Sequence, residues 1–140
     1  MKILLAADES PFTMKALKFV VGHEGLAGKD GELLVLNVQP PMPHGVTGMV
    51  GSRVVADYHR EQADKALAPL KDFLAGQSTS FRCIWVVGHP VDEILRTAKA
   101  EAVDLVAMGT HGHGSFAGMV MGSCSQRVPA ACEVPVLLVK

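Results

Sequence analysis

The sequence predicts an α/β fold: a doubly wound, five-stranded parallel sheet in the order 3-2-1-4-5, with four helices. Five short runs rich in branched apolar residues alternate with four segments of helical periodicity. The runs are apolar at successive positions, which is typical of strands that are covered on both faces. Right-handed crossovers and the common doubly wound arrangement then give the order 3-2-1-4-5.

Start and stop signals bound the individual elements. Ser10 followed by Pro11 is a start signal for the first helix, with Ser10 as its cap, and this helix fades between Gly22 and Gly28. The predicted strands are Lys2–Asp8, Glu32–Val38, Ser80–Val87, Val103–Met108 and Val134–Lys140. The other predicted helices are Ser52–Ala75, Val91–Glu101 and Ser123–Ala131. The segment 40–51, rich in proline and glycine, is predicted as a loop.

Size and composition restrict the classes of protein. A chain of 140 residues predicts a single domain, 1–140, and 49% hydrophobic with 19% charged residues excludes disordered and fibrous chains. The formal net charge of -1 provides no attraction to nucleic acid or to an anionic membrane, so neither is expected as a partner. The uncharged stretch Leu105–Gln126 is too polar to span a membrane.

The three cysteines are Cys83, Cys124 and Cys132, without a Cys-x-x-Cys pair. An odd number in this spacing fits neither a disulfide framework nor a zinc site, which indicates a reducing, cytoplasmic location. Cys83 and Cys132 are predicted to be buried thiols. Cys124 begins the last helix, where it is either a redox-sensitive thiol of lowered pKa or a small packing residue.

A glycine-rich segment follows the fourth strand. The predicted order places the first and fourth strands side by side, so the loop Asp8-Glu9-Ser10 and this segment meet at a crevice. Glycines allow a backbone to approach phosphate closely, and the helix that starts at Ser123 offers its N-terminus to an anion. The glycines of the segment are Gly109, Gly112, Gly114, Gly118 and Gly122.

The segment matches no common nucleotide fingerprint. It lacks the lysine of G-x-x-x-x-G-K-[ST], and G-x-G-x-x-G does not follow the first strand. Because 105–126 contains no charged residue, a phosphate would be held by backbone amides and by the hydroxyls of Ser123 and Ser125. The residues therefore indicate an anion or a nucleotide, and a flexible surface loop is the alternative.

The pattern G-x2-G-x9-G-[ST] at Gly109, Gly112, Gly122 and Ser123 resembles the universal stress protein (UspA-like) family, as does the closing run 134–139. The resemblance covers essentially the whole chain, and the full glycine pattern is typical of the branch that binds ATP. It implies a Rossmann-like homodimer that acts as a nucleotide-dependent regulator in the stress response. A slow ATPase or an adenylyl-transferring enzyme that uses Asp8 and His111 is an alternative function, and a protein-interaction module that presents 40–51 is another.

The resemblance also assigns residues to parts of the nucleotide. Contacts to the adenine or ribose are expected from Ala7, Asp8 and Val38. Contacts to the ribose and first phosphate are expected from Met108, Gly109 and Gly112. Contacts to the remaining phosphates are expected from Gly122, Ser123, Cys124 and Ser125. His111 is expected to face ligand or solvent as a polar loop residue.

Three questions about the ligands stay open. Many relatives carry Arg or Lys where this chain has His113, so ADP and AMP are alternatives to ATP. Asp8 would either orient a hydrated Mg²⁺ with the nucleotide or cap the first helix. His111 and His113 give only two metal ligands, with His89 as a further neighbour, and no protein-bound metal is predicted.

The last strand predicts a partner. In the order 3-2-1-4-5 it is an edge strand, yet 134–139 is apolar and uncharged. Such an edge needs to be covered or paired. Pairing with the same strand of a second copy would form a two-fold homodimer, and Pro135 is tolerated near the start of the strand.

Overall fold

The computed structural model of the chain describes residues 1–27, 29–111 and 122–140. The strands are β1 (Lys2–Ala7), β2 (Glu32–Gln39), β3 (Ser80–Val87), β4 (Leu105–Gly109) and β5 (Val136–Val139). The helices are α1 (Pro11–Gly22), α2 (Val46–Val50), α3 (Ser52–Ala75), α4 (Pro90–Ala100) and α5 (Ser123–Ala131). All four predicted helices are therefore present, and α2 lies within the segment predicted as a loop.

The strands form one parallel sheet in the order β3-β2-β1-β4-β5, which confirms the predicted fold class. The strand β1 lies at the centre. Its Ala7 pairs with Asn37 of β2, and its Leu5 pairs with Ala107 of β4. The carboxyl ends of these three strands consequently lie next to one another at one edge of the sheet.

Helices cover both faces of the sheet. Ile3 and Leu5 point towards α1 and α3, while Leu4 between them points towards α4 and α5, and all three are fully buried. This alternation explains why β1 is apolar at successive positions. None of the helices in the described ranges is both long enough and apolar enough to cross a bilayer.

Four of the five strands differ from the prediction by one or two residues at one or both ends. β2 and β4 extend one residue further, to Gln39 and Gly109, and β5 ends one residue earlier, at Val139. β1 ends before Asp8, whose backbone N–H donates to the hydroxyl of Thr13 (3.0 Å). β4 begins after Asp104. The Asp104 backbone N–H donates to the Lys2 carbonyl oxygen, and the Asp104 carboxylate accepts from the Lys2 backbone N–H, each at 2.7 Å, so a side chain replaces one of the backbone partners of Lys2 there. β5 begins after Pro135, which has no N–H for the ladder.

The prediction of an irregular loop over 40–51 is wrong for α2. This five-residue helix is flanked by Gly45 and Gly51, which adopt φ values of 90° and 91°. Glycine is the residue that adopts positive φ without steric cost, so the two glycines set the chain direction on either side of α2. No residue of α2 is buried, and the helix therefore leaves no apolar periodicity in the sequence.

Candidate functional site

A cavity of about 430 Å³ lies at the carboxyl ends of β1, β2 and β4, where the crevice was predicted. Residues of α1, α3, α4 and the start of α5 also line it. Every predicted site residue that the structure describes lines it: Ala7, Asp8, Val38, Met108, Gly109, His111, Gly122, Ser123, Cys124 and Ser125. Gly112 lies outside the described residues, as do His113, Gly114 and Gly118. Contact of these residues with a nucleotide stays a prediction.

The carboxylate of Asp8 organises the β1 side of the cavity. Its Oδ1 accepts hydrogen bonds from the backbone N–H of Ser10 and from the hydroxyl of Thr13, both at 2.8 Å. These bonds tie the loop after β1 to the first turn of α1, but Asp8 does not cap the first N–H groups of the helix, which was one of its two predicted roles. The expectation that the Ser10 side chain caps α1 is wrong: Ser10 occupies the N-cap position, but its hydroxyl makes no capping bond.

The first turn of α1 joins the loop after β1 to the loop after β4. The Ser10 hydroxyl donates to the carbonyl oxygen of His111 (3.2 Å), and the rings of Phe12 and His111 lie 4.9 Å apart. Gly109 packs against Phe12. A Cβ atom at position 109 would lie 2.5 Å from the Cβ of Phe12 and 3.1 Å from the carbonyl carbon of Phe12. Helix packing, independently of any ligand, therefore requires glycine at 109.

The start of α5 forms the opposite side of the cavity. Gly122 is its N-cap residue and carries no side chain, and within ranges 1–27, 29–111 and 122–140 no side chain caps the first N–H groups of the helix. Ser125 is buried, and its Oγ lies within hydrogen-bonding distance of the carbonyl oxygens of Thr110 (2.6 Å) and Gly122 (2.8 Å), which share its single hydroxyl hydrogen. The Ser125 hydroxyl thus donates to backbone carbonyl oxygens instead of serving as the predicted donor to phosphate. The backbone N–H of Ser125 belongs to the first turn of α5.

Cys124 has a raised pKa. Burial is the main cause, and the nearby Asp8 carboxylate adds to it, while Arg127 and a hydrogen bond from Ser123 act in the opposite direction. The expectation of a lowered thiol pKa is therefore wrong, and Cys124 packs against the core on the α4 side, as its alternative role as a small packing residue predicts. The expectation that Cys83 and Cys132 are buried is also wrong, because both are only partly buried.

Two amides of β2 belong to the cavity although the sequence analysis did not select them. Asn37 is buried and donates from Nδ2 to the carbonyl oxygen of Ala7 (2.9 Å). Gln39 donates from Nε2 to Oδ1 of Asn37 (2.6 Å). The available signal was the polar interruption of an otherwise apolar strand at alternate positions, 37 and 39. Three residues of α3 also line the cavity: Tyr58, Gln62 and Ala66.

The charges around the cavity are unusual for a phosphate site. The described lining includes the carboxylates of Asp8 and Glu9 but no lysine or arginine. The sequence of 112–121 contains neither residue type. Nor do three His, Cys, Asp or Glu side chains in ranges 1–27, 29–111 and 122–140 cluster as metal ligands. A phosphate bound here would meet backbone amides and an accompanying cation rather than a basic side chain.

The whole chain matches one sequence family. The profile of the universal stress protein family matches residues 1–140. A universal stress protein from Thermus aquaticus is 32% identical over 146 residues, covering 99% of this chain and 97% of that one. Universal stress protein MJ0577 from Methanocaldococcus jannaschii is 34% identical over 156 residues, covering 99% and 94% of the two chains.

Solved structures agree with the sequence match. The structure of MJ0577 has a TM-score of 0.82 at 28% identity and covers 99% of this chain and 94% of its own. A universal stress protein in complex with cAMP (TM-score 0.69, 23% identity, 100% and 97% covered) has the same fold. So does a family protein from Arabidopsis thaliana with AMP bound (0.71, 16%, 100% and 91%). The match over the full length and the shared architecture together show that this chain belongs to the universal stress protein family.

Proposed function

We propose that this chain binds an adenine nucleotide, ATP before ADP or AMP, in the cavity at the carboxyl ends of β1, β2 and β4. The carrying observation is that the α5 N-terminus, which no described side chain caps, lies beside the ends of β1 and β2 around one cavity of about 430 Å³. As a member of its family, the protein would act as a nucleotide-dependent regulator of the stress response in the cytoplasm.

The orientation of the nucleotide follows from the chemistry of the two sides. The α5 side offers backbone N–H groups at Ser123 and Cys124 and has no acidic residue in its first helical turn, which suits phosphates. The β1 and β2 side offers Ala7 and Val38 as apolar neighbours for a ribose and base. Proteins of this fold have been solved with cAMP and with AMP, so the fold accommodates an adenine nucleotide.

Mg²⁺ fits the proposal because of the charges in the lining. A triphosphate would lie in a cavity with Asp8 and Glu9 and without a basic side chain among the described lining residues. Mg²⁺ supplies positive charge that offsets the phosphates when it is bound with ATP. It is commonly held by one or two carboxylates and by phosphate oxygens, and the described lining of the cavity contains the carboxylates of Asp8 and Glu9.

Calorimetry with and without the cation tests this proposal. With MgATP at concentrations up to about 1 mM we expect a saturable heat of binding. Chelation of Mg²⁺ by EDTA is expected to weaken ATP binding by about tenfold and AMP binding by much less, because AMP carries less charge. If no heat develops and denatured protein releases no nucleotide detectable by mass spectrometry, the proposed function is wrong.

We further propose that two copies of the chain pair through the C-terminal strand, 134–139. β5 is an edge strand of four half-buried apolar residues. The carbonyls of Pro135 and Val139 accept hydrogen bonds from Val106 and Thr110 on the β4 side. In a parallel ladder the alternate residues direct their backbone groups away from that neighbour, so Val136 and Leu138 would present theirs to a second copy.

Removal of one outward N–H tests the dimer. The wild-type chain is expected to sediment at twice its mass of 14.8 kDa. Leu138→Pro removes an outward-facing N–H and is expected to shift the protein towards the single-chain mass. Far-ultraviolet circular dichroism establishes that the variant is folded. A wild-type protein that sediments as a single chain at tens of micromolar would contradict the proposal.

A further inference from the structure

The amides of Asn37 and Gln39 form a chain whose polarity is fixed at one end. The Ala7 carbonyl oxygen can only accept a hydrogen bond, so the Asn37 atom that faces it at 2.9 Å must be the nitrogen Nδ2. The other end of the Asn37 amide is then the oxygen Oδ1, which accepts from Gln39 Nε2 at 2.6 Å. The remaining end of the chain is therefore the oxygen Oε1 of Gln39, an acceptor.

This oxygen is available to a molecule in the cavity. Asn37 and Gln39 both line the cavity, and Asn37 is only 3% exposed, which holds the inner part of the chain in place. Gln39 is partly exposed. The part of the chain that the structure describes provides no donor to Gln39 Oε1, and this atom is not among the buried polar atoms that lack a partner.

We infer that Gln39 selects a base that carries an exocyclic amino group, as adenine does at its position 6. The inference rests on the proposed function and specifies how the base is recognised. Gln39 follows Val38, on the side of the cavity proposed for the base. An amino group would donate to Oε1, whereas the keto group of hypoxanthine or guanine at the same position would place two acceptors against each other and leave both without a hydrogen.

Asn37 acts as a positioning residue in this scheme. Because its Nδ2 is held by the Ala7 carbonyl, the Gln39 amide is kept from rotating by 180° to present its nitrogen. Gln62 also carries an amide into the cavity, but no hydrogen bond of its side chain is found within the described ranges. An amide that can rotate accepts and donates equally well, so Gln62 is not expected to distinguish the two bases.

ATP and ITP provide a direct test, since ITP carries the keto group in place of the amino group. We expect the wild-type protein to bind ATP about tenfold more tightly than ITP, as measured by calorimetry in the presence of Mg²⁺. Gln39→Leu, which removes the acceptor at similar size, is expected to bring the ratio of the two affinities close to one. Asn37→Leu, which removes the acceptor that orients the Gln39 amide, is expected to reduce the ratio while Gln39 is intact.

Controls separate this inference from the proposed function. Gln77→Leu, at an exposed turn after α3, is expected to retain the wild-type ratio. Equal wild-type affinities for ATP and ITP, or an unchanged ratio in Gln39→Leu, would overturn the inference and leave nucleotide binding intact. So would a loss of the ratio in Gln62→Leu with Gln39→Leu unaffected. A wild-type protein that binds neither nucleotide would overturn the proposed function itself.

Discussion

Gly122→Val is expected to weaken MgATP binding by about 100-fold or more while the protein stays folded. Gly122 is the N-cap residue of α5 and lines the cavity. Its φ of -62° and ψ of 156° are accessible to any L-residue, so the backbone need not change. A side chain at an N-cap lies beside the first helical N–H groups, and each hydrogen bond lost to a charged phosphate costs about 1.5–3 kcal/mol. Calorimetry measures the affinity.

His89→Val is the matched control for this variant. His89 is the N-cap residue of α4, has a similarly extended backbone (φ -77°, ψ 124°) and does not line the cavity. His89→Val therefore introduces the same poor capping residue at a helix start whose N-cap residue is outside the cavity lining, and the affinity for MgATP is expected to stay at the wild-type value. Normal binding by Gly122→Val would mean that the phosphates lie elsewhere than at the start of α5.

Gly109→Ala is expected to lower the free energy of unfolding by about 1–3 kcal/mol. The added Cβ would lie 2.5 Å from the Cβ of Phe12, and the Phe12 backbone lies just beyond it. These atoms belong to the first turn of α1, so relief of the clash requires movement of the helix rather than of a side-chain end. Urea denaturation monitored by circular dichroism gives the difference.

Gly88→Ala provides the comparison, because its added Cβ meets atoms that can move. The Cβ would lie 2.6 Å from Cγ of Glu93, within a flexible side chain whose ion partner is the exposed Arg96. Rotation of Glu93 relieves the contact at the expense of a surface ion pair, for which about 0.5 kcal/mol is expected. Equal stability of the Gly109→Ala and wild-type proteins would show that α1 does not restrict position 109.

Periodicity predicted the long elements well. The bounds of α3 and β3 agree with the prediction at both ends, because α3 has an apolar stripe over 24 residues and Gly88-His89-Pro90 ends β3 sharply. The edge of the sheet that carries the cavity was also predicted correctly. The strand order places the loops after β1 and β4 together, and the glycine segment follows β4. These features depend on local pattern and topology, which a sequence contains directly.

The features that were missed depend on contacts between distant residues. The relation of Asn37 to the Ala7 carbonyl follows from the register that pairs β2 with β1, and no spacing in the sequence encodes that register. Gly109 was selected for its backbone's access to a ligand, whereas the structure adds a requirement from Phe12. The sequence predicts the Ser125 hydroxyl as a donor to phosphate, whereas the fold brings it against two carbonyl oxygens, one of them 15 residues away at Thr110.

The central position of β1 has a consequence for synthesis of the chain on the ribosome. β1 pairs with β2 on one side, but its other neighbour, β4, begins only at Leu105. Until then a growing chain can assemble β3, β2 and β1 with β1 as a bare apolar edge, open to pairing with other chains. The cavity also needs Gly122 and α5, so a ligand of this site can stabilise only a chain that has already been made as far as α5.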